Sequence, residues 1–160
     1  MTSREERCRR AAEIAENCRQ KGYHCSESTL RAAAQVLGVP ISEELLRVSS
    51  VFRGGGGGYG GRCGVAEAGL MMIGLLYGRS DESGDSEAYS YLARLWLKRF
   101  RLHFVSLNCA DLLPATKERS PENNCARTYT EGAELMVDFL LDAPELLEKR
   151  AALQRSKASE

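Results

Sequence analysis

The chain has no excess of either charge. Lysine and arginine total 22, and so do aspartate and glutamate. Nothing in that balance indicates nucleic acid or an anionic surface as a partner. There is also no apolar run long enough to cross a bilayer. The longest stretch, Ala68 to Tyr77, falls short of the about 20 residues a spanning helix needs. The segment Met1 to Arg7 is charged and has no apolar run behind it, so no secretory signal is expected. No nucleic acid, no membrane and a cytoplasmic setting are therefore the expectation. Six cysteines in 160 residues are too few for a disulfide scaffold, which runs above about 8–10% cysteine. A chain this long can bury a core without such staples. No Cys-x-x-Cys pair occurs, which leaves no zinc-ribbon or ferredoxin signature. No Cys-x-x-Cys-His occurs either, so haem attachment is unsupported.

Repeats, a strand series and a dividing linker are also missing. What remains reads as helix almost throughout. Arg4 to Gln20 is rich in strong helix formers, and Gly22 breaks it. A second helix begins near Cys25 and Ser26, and Gly38 and Pro40 stop it. Ser42 is a good N-cap for a third, Glu43 to Val51. Cys63 to Tyr77 has Glu67 as its only charged residue and is expected to be a buried central helix. Its glycines at 64, 69 and 74 permit close approach of neighbours. Glu87 to Leu107 carries an amphipathic stripe. Asn108 to Asn124, with Pro114 and Pro121, reads as mostly irregular. Asn124 is expected to cap a last long helix, interrupted at Pro144. The fold class expected is all-α: one single-domain bundle of five or six helices over residues 1–148, followed by a polar, frayed tail over 149–160.

The cysteines carry the chemistry. Cys25, Cys63 and Cys125 fall at helix starts, where unpaired N–H groups and the helix dipole favour thiolate. Cys109 follows the long helix. Cys63 comes one arginine after the tract Gly54-Gly55-Gly56-Gly57-Gly58-Tyr59-Gly60-Gly61. A bundle that gathers these helix starts would form a site for a thiolate cluster or a low-pKa dithiol. Cys63, beside Arg62, is expected to be its most reactive or most essential thiol. Cys8 and Cys18, on the first helix, read as packing residues.

The ordered set Cys25-Ser26-Glu27-Ser28, Gly61-Arg62-Cys63-Gly64-Val65-Ala66-Glu67-Ala68-Gly69, Asn108-Cys109-Ala110-Asp111 and Asn124-Cys125 resembles the redox-active protein family named for its C_GCAxxG_C_C pattern. The resemblance covers roughly residues 20–142. Arg62-Cys63-Gly64-Val65 stands where the family name has Gly-Cys-Ala. A related domain occurs in split-Soret cytochromes, where it is associated with an iron–sulfur centre. The resemblance implies a redox role. It makes Cys25, Cys63, Cys109 and Cys125 candidate metal and cofactor ligands, with Gly61 and Gly64 beside the cofactor.

Competing readings are weaker. Gly56-x-Gly58-x-x-Gly61 matches a dinucleotide fingerprint, but the strands that context requires are missing. Arg62-Cys63 stands where a P-loop needs Gly-Lys-Ser/Thr. The glycine tract is better read as a flexible loop passing close to a neighbour or cofactor. Glu67, four residues after Cys63, is either a proton acceptor or oxygen ligand near the thiols, or the partner of an arginine. His24 is either a ligand or a capping residue, and His103 lies in a basic, solvated segment. Two function classes stand. One is a redox or electron-transfer protein with an iron–sulfur cluster and a redox partner. The other is a non-catalytic helical module whose cysteines hold structural zinc, form a dithiol or disulfide, or bind no cofactor. A homodimer is compatible with both.

Overall fold

The computed structural model describes residues 2–117 and 125–158. Among the described residues the chain forms seven helices and no strand: α1 (Arg4–Gln20), α2 (Cys25–Leu37), α3 (Glu43–Ser50), α4 (Gly64–Tyr77), α5 (Glu87–Phe104), α6 (Cys109–Lys117) and α7 (Ala126–Ala158). The all-α expectation holds. Local signals explain most of the boundaries. Ser3 Oγ accepts the Glu6 N–H at 3.1 Å, and Ser42 Oγ accepts the Leu45 N–H at 3.3 Å, as N-caps do. Gly38 ends α2 in the left-handed conformation, the usual glycine stop.

The seventh helix is α6, which occupies part of the segment expected to be irregular. Its start is capped. Ser106 Oγ donates to Asp111 Oδ2 at 2.6 Å, and Asn108 Nδ2 donates to the same atom at 3.2 Å. That local network outweighs Pro114, which lies inside the helix. Pro144 likewise fails to interrupt α7, which runs through it to Ala158. The polar stretch from Lys149, expected to fray, is therefore helical to Ala158. The expected cap Asn124 lies outside the described residues.

α7 is the element with the most neighbours: α1, α2, α4, α5 and α6 all pack on it. α4 packs on α2, α5 and α7. It is buried from Gly64 to Ile73, apart from half-buried Glu67, Leu70 and Met71, and its last turn emerges with Leu75 and Leu76 exposed. The core contains Trp96, Phe100, Phe139, Tyr129, Leu30 and Met72. On the outside, Asp138 and Asp142 of α7 receive both Arg4 of α1 and Arg99 of α5. Exposed pairs of this kind contribute little each, but here they tie three helices.

Gly69 decides how closely α4 and α5 approach. A methyl group there would overlap the Trp96 ring, whose Nε1 donates to the Ala66 carbonyl at 2.8 Å. Gly74, by contrast, has no neighbour that requires glycine. Gly69→Ala is expected to cost about 2–4 kcal/mol, combining overpacking with loss of a buried hydrogen bond. Chemical denaturation monitored by the fluorescence of this sole tryptophan checks it. Val105, at the end of α5, sits at φ 72° with 87% of its surface exposed. A β-branched residue is strained there and buries little in return. Val105→Asn is expected to raise stability by about 1 kcal/mol, read from the same denaturation curves.

Candidate functional site

The site is assembled by backbone before any side chain acts. After α3 the chain coils through residues 54–61, with positive φ at Gly54 to Gly58 and at Gly60. The coil is tied to itself: Gly57 N–H to Val51 O at 2.9 Å, Gly60 N–H to Gly54 O at 2.9 Å and Gly61 N–H to Gly55 O at 3.0 Å. Only glycine fits at 55, where a Cβ would run into the backbone of Gly60 and Gly61. The flexible loop read from the composition is thus an internally bonded coil.

That coil meets the segment after α5. Arg62 and Asn108 form an isolated antiparallel bridge. The Cys63 N–H donates to Leu107 O at 2.7 Å, the Cys109 N–H to Gly61 O at 2.7 Å, and the Ala110 N–H to Gly60 O at 3.1 Å. Side chains alternate across such a pair, so Cys63 and Cys109 fall on the face opposite Arg62 and Asn108. Cys63 then caps α4 and Cys109 opens α6. Cys25 opens α2, and Cys125 directly precedes α7. Gly64 lets α4 reach α2: a Cβ there would lie 3.0 Å from Cys25 Sγ and 2.7 Å from the Phe52 carbonyl. Ser26 Oγ locks the same corner, donating to Ser49 O at 2.7 Å.

Cys25, Cys63, Cys109 and Cys125 line one small cavity of about 10 Å3, closed by Val65, Leu112, Leu113 and Thr128. Cys63 and Cys109 are 4% exposed and Cys25 7%. Cys25, Cys109 and Cys125, but not Cys63, also line an adjoining open cleft of about 460 Å3. Cys8 and Cys18 lie outside both, in separate surface grooves. Gly61 turns toward the Gly55 carbonyl, 3.0 Å from where its Cβ would be. Among the described residues, no three His, Cys, Asp or Glu side chains stand in position to hold a single metal ion.

Burial counts against one half of the expectation for Cys63, that it is the most reactive thiol, and leaves the other half, that it is the most essential, untouched. Burial pushes its thiol well above the ordinary range, and the neighbouring Cys25 and Cys109 add to the rise. The Val65 and Ala66 N–H groups act on its sulfur in the opposite direction and do not offset the burial. Desolvation therefore wins over the helix start. Arg62 gives no help, because its Nε pairs with Glu67 Oε1 at 3.1 Å. This settles Glu67 as an arginine partner. Cys125 is pushed up to about 11, by burial first and then by Cys25 and Cys109, and the Cys109 thiol is raised by burial and then by Cys25. His24 is the N-cap of α2, its N–H donating to Glu27 Oε2 at 3.0 Å. Arg19 Nη1 lies 3.4 Å from its Nδ1. A guanidinium only donates, so Nδ1 is the accepting, unprotonated nitrogen. Burial, Arg53 and Arg19 lower the His24 pKa in agreement. His103, exposed as its basic segment suggested, pairs with Glu131 at 2.9 Å.

The thiolate is the attacking form, so a raised pKa means slower alkylation at neutral pH and a rate rise displaced to alkaline pH. In reduced, metal-free protein, Cys63 is expected to react with iodoacetamide at least about tenfold slower than Cys8. Peptide-resolved mass spectrometry across pH 7–10 checks it.

A family model described as "Putative redox-active protein (C_GCAxxG_C_C)" matches residues 23–139 of this chain. No curated protein and no solved structure matches it.

Proposed function

Because the chain belongs to the redox-active C_GCAxxG_C_C family, we propose that Cys25, Cys63, Cys109 and Cys125 form its redox centre and act as thiolate ligands of an iron–sulfur cluster. The observation that carries this reading is the shared cavity: four cysteines from four helix starts line one buried space. Four sulfur donors are the ligand set of common clusters. A cluster holds several metal ions and so spreads its ligands wider than one ion does, which accords with the lack of a single-ion site. The present cavity has room for about one water, so loading requires the thiols to part toward the adjoining cleft. The raised thiol pKa values point the same way. Thiols that are buried together resist ionisation until a cation compensates them, and a coordinating thiol is deprotonated outright.

The group would supply one-electron transfer. The chain supplies its surroundings. Val65 and Ala66 direct N–H groups at the Cys63 sulfur, and the closed packing excludes water. Both features tune the potential of a sulfur-ligated centre. The Arg62–Glu67 pair neutralises two charges next to Cys63 without adding net charge.

The narrow cavity favours a second reading, in which two of these cysteines cycle between dithiol and disulfide. Closing such a bond releases two electrons and two protons, which a partner oxidant must accept.

Protein expressed and purified without oxygen is expected to absorb in the visible and to contain iron and acid-labile sulfide. Cys63→Ser and Cys109→Ser are expected to lose at least about nine-tenths of that iron, because each removes a ligand, and Cys8→Ser to retain it. Metal-free protein that gains and loses two free thiols on oxidation and reduction selects the dithiol reading. A colourless protein with inert thiols, with or without zinc, overturns both.

A further inference from the structure

The open cleft beside the cysteines has features that the redox centre alone does not require. We propose that it is the docking site of a small anionic reactant, whose carboxylate or oxyanion is held by Arg19 and Arg53 next to Cys25 and Cys109. The inference deepens the redox reading above and rests on it.

The cleft is about 460 Å3, within the range of small-molecule sites. Arg19, His24, Arg53 and Tyr59 line it together with Cys25, Cys109 and Cys125, and no aspartate or glutamate is among its described lining residues. Several of the chain's arginines are engaged in ion pairs of the fold. Arg4, Arg62, Arg99, Arg127 and Arg150 all face carboxylates. Among the described residues no carboxylate lies within ion-pair distance of Arg19 or Arg53.

Arg19 is also preset. Its Nη1 donates to the Tyr23 carbonyl at 2.7 Å, and its guanidinium lies 5.5 Å from the centre of the Tyr129 ring. Its Nε is buried with no acceptor, an arrangement that costs free energy unless something accepts from it. A planar guanidinium fork suits carboxylates and oxyanions. Arg53 leads into the internally bonded glycine coil, and Tyr59, 90% exposed, stands further along it. Cys25, Cys109 and Cys125 line both this cleft and the closed cavity. A ligand anchored at the arginines therefore lies next to the outer sulfurs while Cys63 stays out of reach.

The test is an NMR titration of the whole protein at low ionic strength with two probes, inorganic phosphate and malonate. Saturable shifts at the His24 ring and at the amides of residues 54–60 are expected. Saturation by phosphate alone identifies an oxyanion site and by malonate alone a carboxylate site. Arg53→Gln is expected to weaken binding about tenfold, the worth of a charge-assisted hydrogen bond. Arg9→Gln, on the exposed face of α1, should leave it unchanged. Arg53 is exposed, so its variant should fold even if Arg19→Gln does not. Shifts that never saturate, or that are equal in Arg53→Gln and Arg9→Gln, overturn the site. On protein with an assembled redox centre, Arg53→Gln should slow reduction by dithionite, an anion, more than reduction by neutral dithiothreitol. Equal slowing overturns the reactant role. Anion binding in protein that assembles no redox centre overturns the redox reading alone, and a working centre without anion binding overturns this inference alone.

Discussion

Three short backbone hydrogen bonds, joining residues 60–63 to residues 107–110, organise everything around the cysteines. They place the end of the glycine coil against the segment that leaves α5, and so bring Cys63 and Cys109 to the same face. They also consume donors. The N–H groups of Cys63, Cys109 and Ala110 all point at carbonyls of the clamp, so none of them serves a thiolate. The clamp thus gathers the sulfurs and at the same time withdraws part of the stabilisation that a helix start normally offers an anion. Close packing of Gly64 on Cys25 removes water as well. The outcome is a site where thiols are crowded and dry and raise one another's pKa. Such a cluster is stable when protonated, oxidised to a disulfide or bound to metal, and unfavourable as free thiolates.

The sequence was most informative where structure is local. Caps at Ser42 and Gly38, the apolar start of α4 and the stripe of α5 all depend on neighbours a few residues away, and they appear where the periodicity puts them. It misled where one residue was given too much weight. Pro114 and Pro144 lie within helices because the surrounding contacts, the Ser106–Asn108–Asp111 network in one case and the five-helix packing of α7 in the other, outweigh a single missing donor. The signal for α6 was present as Asn108-x-x-Asp111, a polar pair at capping distance.

Cys63 shows a further limit of local reading. A first-turn position and an adjacent arginine are visible in the sequence, but their effect depends on burial and on which carboxylate the arginine meets. Arg62 meets Glu67, and Cys63 is buried beside Cys25 and Cys109. Neither fact is local. The glycine tract is similar: its composition suggests freedom, yet positive φ values let the chain coil on itself and bond internally. Arg19 and Arg53 carried no motif. Their significance comes from the lack of a nearby carboxylate among the described residues, a relation between distant segments that no spacing rule encodes.

Depth orders the site chemically. The outermost layer is a cleft with two guanidinium groups and a neutral histidine, open to solvent. Beneath it, Cys25, Cys109 and Cys125 line both the cleft and the cavity, and Cys63 borders the cavity alone. A thiol with only 4% of its surface exposed and two N–H groups at its sulfur suits a fixed ligand better than an attacking nucleophile, since attack needs access and ligation needs only a lasting partner. The same depth separates the two redox readings physically. A cluster engages all four sulfurs at once and makes Cys63 indispensable, whereas a disulfide needs only two and is reached most easily by pairs that already face the cleft.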